Sequence, residues 1–129
     1  MKVTREILMI VVCLAMASLA VAGTLEHQSV HEAHQLLLTS SDQVALLDVR
    51  TPGEYVAGHI QGALLFNFNN NDFGRKLSRL PKHFTYVIYG KAGHRSARTA
   101  RMMKQMGYDV IHMDGGLEEW KRSGFPMVK

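Results

Sequence analysis

Two stretches of this chain, Val44-Ala45-Leu46-Leu47-Asp48-Val49 and Thr85-Tyr86-Val87-Ile88-Tyr89, are apolar with hardly an interruption. A strand with one wet face alternates apolar and polar residues. An unbroken run is what a parallel strand covered on both faces requires. The segments around these runs read as helices. Ser29-Val30-His31-Glu32 predicts a capping box ahead of Val30, Ala33, Leu36 and Leu37 at helical spacing. Thr51-Pro52-Gly53-Glu54 repeats that logic with Pro52 at the first helical position and Gly58 as the stop. Ala63 to Phe66 predicts a short strand, and polar Asn67 to Asn71 leads into a helix that ends before Pro81. Ser96 to Met106 predicts a helix closed by Gly107, Asp109 to Met113 a strand, and Gly116 to Ser123 a last helix holding Trp120. Strands separated by helices at this spacing give an α/β fold, with a parallel sheet covered on both faces. Ligands in such sheets sit at the carboxyl ends of the strands, where Asp48-Val49-Arg50 and Gly90 to Arg95 fall.

The first residues form a different kind of segment. Lys2 and Arg5 precede a nearly wholly apolar Ile7 to Leu19, which is too short to span a bilayer, and Ala20-Val21-Ala22 comes next. This is the pattern of a secretory signal peptide, residues 1–22, cleaved after Ala22 to leave a domain of residues 23–129. The expected location is therefore periplasmic or secreted, with no stable membrane anchor after cleavage. The single cysteine, Cys13, lies inside the leader. An exported domain from Gly23 onward has no disulfide, no thiolate nucleophile and no cysteine metal site. The formal charge of +4 is spread along the chain without the Lys/Arg runs of a nucleic-acid binder.

The loop Gly90-Lys91-Ala92-Gly93-His94-Arg95-Ser96 comes after the Thr85 to Tyr89 strand and opens a helix. Its two glycines permit the dihedrals with which successive amides turn inward as an anion-binding nest. The helix beyond it points its positive end at the same spot. Lys91, His94 and Arg95 add donors, and a guanidinium can grip an oxyanion with two parallel bonds. A plain strand-to-helix turn with surface charges explains the same residues, and the loop by itself does not separate the two readings.

Three blocks, "LLDVRTPGEYVAGHIQGA" (Leu46 to Ala63), "VIYGKAGHRSARTARMMKQMGYDV" (Val87 to Val110) and "DGGLEEWKRSGFP" (Asp114 to Pro126), resemble in order the signature blocks of the rhodanese family. The resemblance implies a three-layer α/β/α domain with a central parallel sheet and a sulfurtransferase lineage. In that family a loop cysteine takes the sulfane sulfur of thiosulfate as a persulfide and passes it to a thiophile. The family cysteine falls on Gly90 and its loop arginine on Arg95, with the length of the sulfurtransferase loop rather than the longer one of related phosphatases. Asp48, Arg50 and Glu54 match the block that braces the loop, and His59 and Gly62 match the turn after it.

Glycine carries no persulfide, so the resemblance implies a catalytically silent domain. Its loop, Lys91 to Ser96, would bind a small oxyanion such as thiosulfate or sulfate, or a group on a protein partner. The alternative is an active thiosulfate sulfurtransferase, if position 90 is a cysteine in the native gene. No cofactor or metal is expected. His27, His31 and His34 read as a solvated helix end rather than a ligand set, and Met102, Met103 and Met106 as core packing. His94 has no third group to orient it as a nucleophile.

Overall fold

A computed structural model describes residues 21–40 and 42–129. Residues 1–20 of the expected leader, Cys13 among them, lie outside the described residues. Ten elements alternate along the chain: β1 (Thr24–Gln28), α1 (Val30–Thr39), β2 (Val44–Asp48), α2 (Pro52–Ala57), β3 (Leu64–Leu65), α3 (Phe73–Ser78), β4 (Thr85–Tyr89), α4 (His94–Gln105), β5 (Asp109–Met113) and α5 (Gly116–Arg122). The strands form one sheet in the order β1-β5-β4-β2-β3, and every pairing is parallel.

The period-two alternation of a strand sends its residues to two separate cores. Along β4, Val87 and Tyr89 face a layer that includes Val30 and Ala33 of α1 and Leu117 and Trp120 of α5. Tyr86 and Ile88 face the opposite layer, with Phe73 and Leu77 of α3 and Ala100 and Met103 of α4. The expected three-layer α/β/α architecture is therefore the observed one. Central strands β2 and β4 meet a core on both sides, which accounts for their unbroken apolar runs.

The cap at Thr51 forms as expected, and the one at Ser29 forms only in half. The Ser29 hydroxyl accepts the Glu32 amide proton, and Thr51 and Glu54 complete a reciprocal capping box. Two points of the sequence reading need correction. Thr24–Gln28 is a fifth strand, which the sequence does not announce because an edge strand facing solvent needs few apolar residues; Leu25 packs inward and the rest is polar. Helix α4 begins at His94 rather than Ser96, because Gly93 turns the chain with φ 114°. Its most buried stripe is Ser96, Thr99, Ala100 and Met103, while Ala97 and Met106 are half-buried. Among the described residues, no helix is long and apolar enough to cross a membrane.

Candidate active-site loop

Strands β2 and β4 end side by side, with Asp48 in register with Tyr89, so the loops that leave them meet at one edge of the sheet. Asp48 is fully buried and would be costly there without partners. It has them. Its Oδ1 accepts the Arg50 amide at 3.0 Å, and Arg50 Nη2 donates to Oδ2 at 2.7 Å. The Tyr89 hydroxyl donates to Oδ2 at 2.6 Å and accepts the Ile60 amide at 3.1 Å. Burial first, then the Asp48 charge, pushes the Tyr89 phenol well above its ordinary value, so it remains a donor. Arg50 also donates to the Gly58 carbonyl at 2.7 Å and closes the turn after α2. Asp48 and Arg50 therefore tie the end of β2 to Tyr89 and to the turn after α2.

Arg95 stands differently from the sequence expectation, and Glu54 is the reason. Arg95 does not present a free guanidinium to an anion. Its Nη1 and Nη2 donate to Glu54 Oε1 and Oε2 at 2.8 and 3.0 Å. The pair holds the Glu54 carboxyl at about 2, against an ordinary 4.5, chiefly through the Arg95 hydrogen bond. Glu54 supports the loop through Arg95, and Arg95 supports it by joining the first turn of α4 to α2.

The loop itself is oriented from its carbonyl side. Gly90 and Lys91 present their carbonyls to the start of α5, where the amides of Leu117 and Glu118 donate at 2.9 and 3.0 Å. A peptide's N–H points opposite to its C=O, so the Lys91 and Ala92 amides face away from α5. Among the described residues, the amides of Lys91 to Ser96 donate to no protein acceptor. Gly116 makes the close approach of α5 feasible. It sits at φ 60°, and a Cβ built there would lie 2.5 Å from the Lys91 carbonyl oxygen and 2.7 Å from that of Gly90.

Gly90 is buried, but its backbone lies outside the left-handed region. A Cβ at this position would sit 3.5 Å from Ser96 Oγ and 3.6 Å from the Ser96 amide, at ordinary contact distance. Of the other loop residues, Lys91, Ala92 and His94 are exposed, whereas Gly93 and Ser96 are buried. Ser96 does not reach solvent; its hydroxyl lies 3.1 Å from the Gly93 carbonyl and 2.8 Å from His112 Nε2. A pocket of about 300 Å³ opens beside the loop, lined by Arg50, Glu54, Gly58, Lys91, Glu118 and Lys121 among others. His59, matched to the turn after α2, stacks on Tyr55 and bridges to Val128 away from the loop.

Sequence reasoning missed Tyr89, His112 and Gly116. Tyr89 ends an apolar run that gives no reason to single it out, whereas His112 interrupts one and is a usable signal. The Gly115-Gly116 pair was a usable signal, since adjacent glycines before a helix often mark a close backbone approach.

The sequence model of the family described as the rhodanese-like domain matches residues 29–123. A sulfurtransferase of Allochromatium vinosum is 35% identical over 92 residues, covering 70% of this chain and 84% of that protein. A probable adenylyltransferase/sulfurtransferase, MoeZ, of Mycobacterium tuberculosis is 38% identical over 90 residues, or 69% of this chain. The match spans only 23% of MoeZ, so this chain corresponds to one part of it. Among solved structures, a rhodanese-related protein from Thermoplasma volcanium superposes with a TM-score of 0.72 at 22% identity, covering 80% of this chain and 97% of that one. A rhodanese-like domain protein from Staphylococcus aureus gives a TM-score of 0.66 at 28% identity, covering 74% and 90%.

Proposed function

The chain belongs to the rhodanese-like domain family, and we propose that it binds a small thiosulfate- or sulfate-like oxyanion at Gly90 to Ser96 without transferring sulfur. One observation carries this reading. The amides of Lys91 to Ser96 are left without protein acceptors at the start of a twelve-residue helix, at a strand end that offers no thiol. Oriented amides and a helix N-terminus favour negative charge. Sulfur transfer needs a covalent carrier, and no cysteine occurs after Cys13. Lys91 adds a mobile positive charge at the rim, while Arg95 acts through its hold on the loop. We further propose export, with residues 1–22 as a cleaved leader. The relatives named as sulfurtransferases make thiosulfate the natural first ligand to try.

The test is a thiosulfate titration of the isotopically labelled protein, monitored by amide chemical shifts and paired with an assay for thiocyanate in the presence of cyanide. Saturable shifts confined to Lys91 to Ser96, with no thiocyanate, are expected. Turnover, or shifts that are diffuse and unsaturable, would contradict the reading. A second reading, an active thiosulfate sulfurtransferase whose native gene encodes cysteine at position 90, is favoured by one finding: the backbone at Gly90 has both the dihedrals and the room for a side chain.

A further inference from the structure

Where His112 packs against Gly93 and Ser96, three side chains converge that the anion-binding reading does not use. We propose that His27, His112 and Asp114 form a binding site for one divalent transition-metal ion of the zinc class. His27 Nδ1 lies 3.2 Å from His112 Nδ1 and 3.2 Å from Asp114 Oδ1, and His112 Nδ1 lies 3.0 Å from the same oxygen. Ligands at the usual zinc distances, about 2.0–2.1 Å in a tetrahedron, stand about 3.3–3.4 Å apart. The three donor atoms thus already form one face of such a tetrahedron, close to its proper size, with the fourth position open.

The backbone explains why they meet. β1 pairs with β5 so that His27 and His112 are register partners on one face of the sheet. Asp114 lies two residues after His112, and its amide donates to the Gln28 carbonyl at 2.8 Å, which continues the ladder past the end of β5. His27 and Asp114 are more than half exposed and His112 is buried, giving a site anchored in the sheet and open to solvent on its outer side.

The surroundings fit ligation. A metal-bound histidine is commonly held by a hydrogen bond to its other ring nitrogen. His112 Nε2 has that partner in Ser96 Oγ at 2.8 Å, and Ser96 is in turn fixed by the Gly93 carbonyl. When Ser96 donates to Gly93, His112 Nε2 is the donor to Ser96, and its Nδ1 lone pair faces the Asp114 carboxylate. Two acceptors then face each other at 3.0 Å unless His112 Nδ1 also carries a proton. A cation resolves this directly. Two imidazoles and one carboxylate suit zinc, cobalt, nickel or copper, whereas calcium and magnesium prefer all-oxygen shells. The sequence of Asp114, His112 and Ser96 also has the order of a hydrolytic triad, but Ser96 is wholly buried, so no substrate could reach it.

Cobalt(II) is the probe, titrated into the full chain carrying no added histidines and monitored by its visible absorption. The parent is expected to develop bands that saturate at one equivalent and disappear when zinc is added. His27→Ala and Asp114→Ala, both at exposed positions, are expected to weaken cobalt binding at least tenfold while remaining folded by circular dichroism. His31→Ala/His34→Ala, which removes the neighbouring helix histidines, is expected to bind as the parent does. Absence of cobalt bands in the parent overturns the proposal, as does parental affinity in His27→Ala and Asp114→Ala.

Discussion

Arg95 and Glu54 meet end to end across 41 residues of sequence, each nitrogen of the fork on its own carboxylate oxygen. Glu54 also belongs to the capping box that starts α2, where its Oε1 accepts the Thr51 amide and hydroxyl. One carboxylate therefore fixes the start of α2 and the first turn of α4 at once. The loop is clamped at its exit by this pair and at its entrance by Asp48.

The pair gives a pH signature with a defined sign. The Glu54 carboxyl is depressed to about 2 in the folded protein, from an ordinary 4.5. The folded state thus favours the ionised form, and the contribution is complete above about pH 4.5 and fades as pH falls toward 2. Glu54→Gln should lower stability near neutrality by ~1 kcal/mol, a value reduced because the pair is partly exposed. Thermal melts of both proteins from pH 7 to 2 should show the gap closing between these limits. A gap independent of pH would mean that the charge on Glu54 contributes nothing.

Asp48 should be the most costly carboxylate to alter. Asp48→Asn leaves the buried Arg50 guanidinium without its counter-charge, and breaking a buried pair in this way costs about 3–5 kcal/mol. Tyr89→Phe removes one hydrogen bond to Asp48 and the acceptor for the Ile60 amide, at about 1–3 kcal/mol. Urea denaturation should rank the two in that order. Equal losses would show that the hydrogen bonds, rather than the ion pair, dominate this cluster.

Gly116→Ala tests the approach of α5 to the loop. Its positive φ and the crowding against the Gly90 and Lys91 carbonyls should together destabilise the fold by about 1–3 kcal/mol. Because those carbonyls orient the loop amides, thiosulfate affinity should fall along with stability. Amide shifts at Lys91 and Ala92 provide the reading, and an unchanged titration curve would separate the loop from α5.

Gly90→Cys should fold with a stability change under about 1 kcal/mol, since the added Cβ makes only ordinary contacts with Ser96. The new thiol would stand before the loop amides and the helix N-terminus, which lower a thiol's pKa. Thiocyanate formation from thiosulfate and cyanide is expected from this variant and not from the glycine form. A folded but inactive Gly90→Cys protein would mean that the loop lacks more than a thiol.

Central strands and capped helices are legible in the sequence because their signals are local. Val44 to Val49 and Thr85 to Tyr89 are covered on both faces, so burial is written into consecutive residues. β1 is not legible, because its place depends on β5 and only Leu25 points inward. The same distinction divides the candidate site. Asp48, Arg50 and the glycines of the loop lie within short motifs, whereas the Glu54–Arg95 pair and the His27–His112–Asp114 triangle join segments far apart in the chain. Proximity in sequence groups His27 with His31 and His34. The structure instead sets His34 against Trp120 and Phe125 and sends His27 to the opposite face of the sheet.

The pairing of β1 with β5 also joins two segments that lie far apart in the chain. Thr24 and Asp109 are hydrogen-bonded neighbours 85 residues apart, and closing a loop of that length costs about 4 kcal/mol beyond a constant term. Among the described residues, β5 is the one strand that β1 adjoins in the sheet. A chain that stops before Asp109 leaves Thr24–Gln28 without a neighbour and His27 without the two residues it meets in the finished fold.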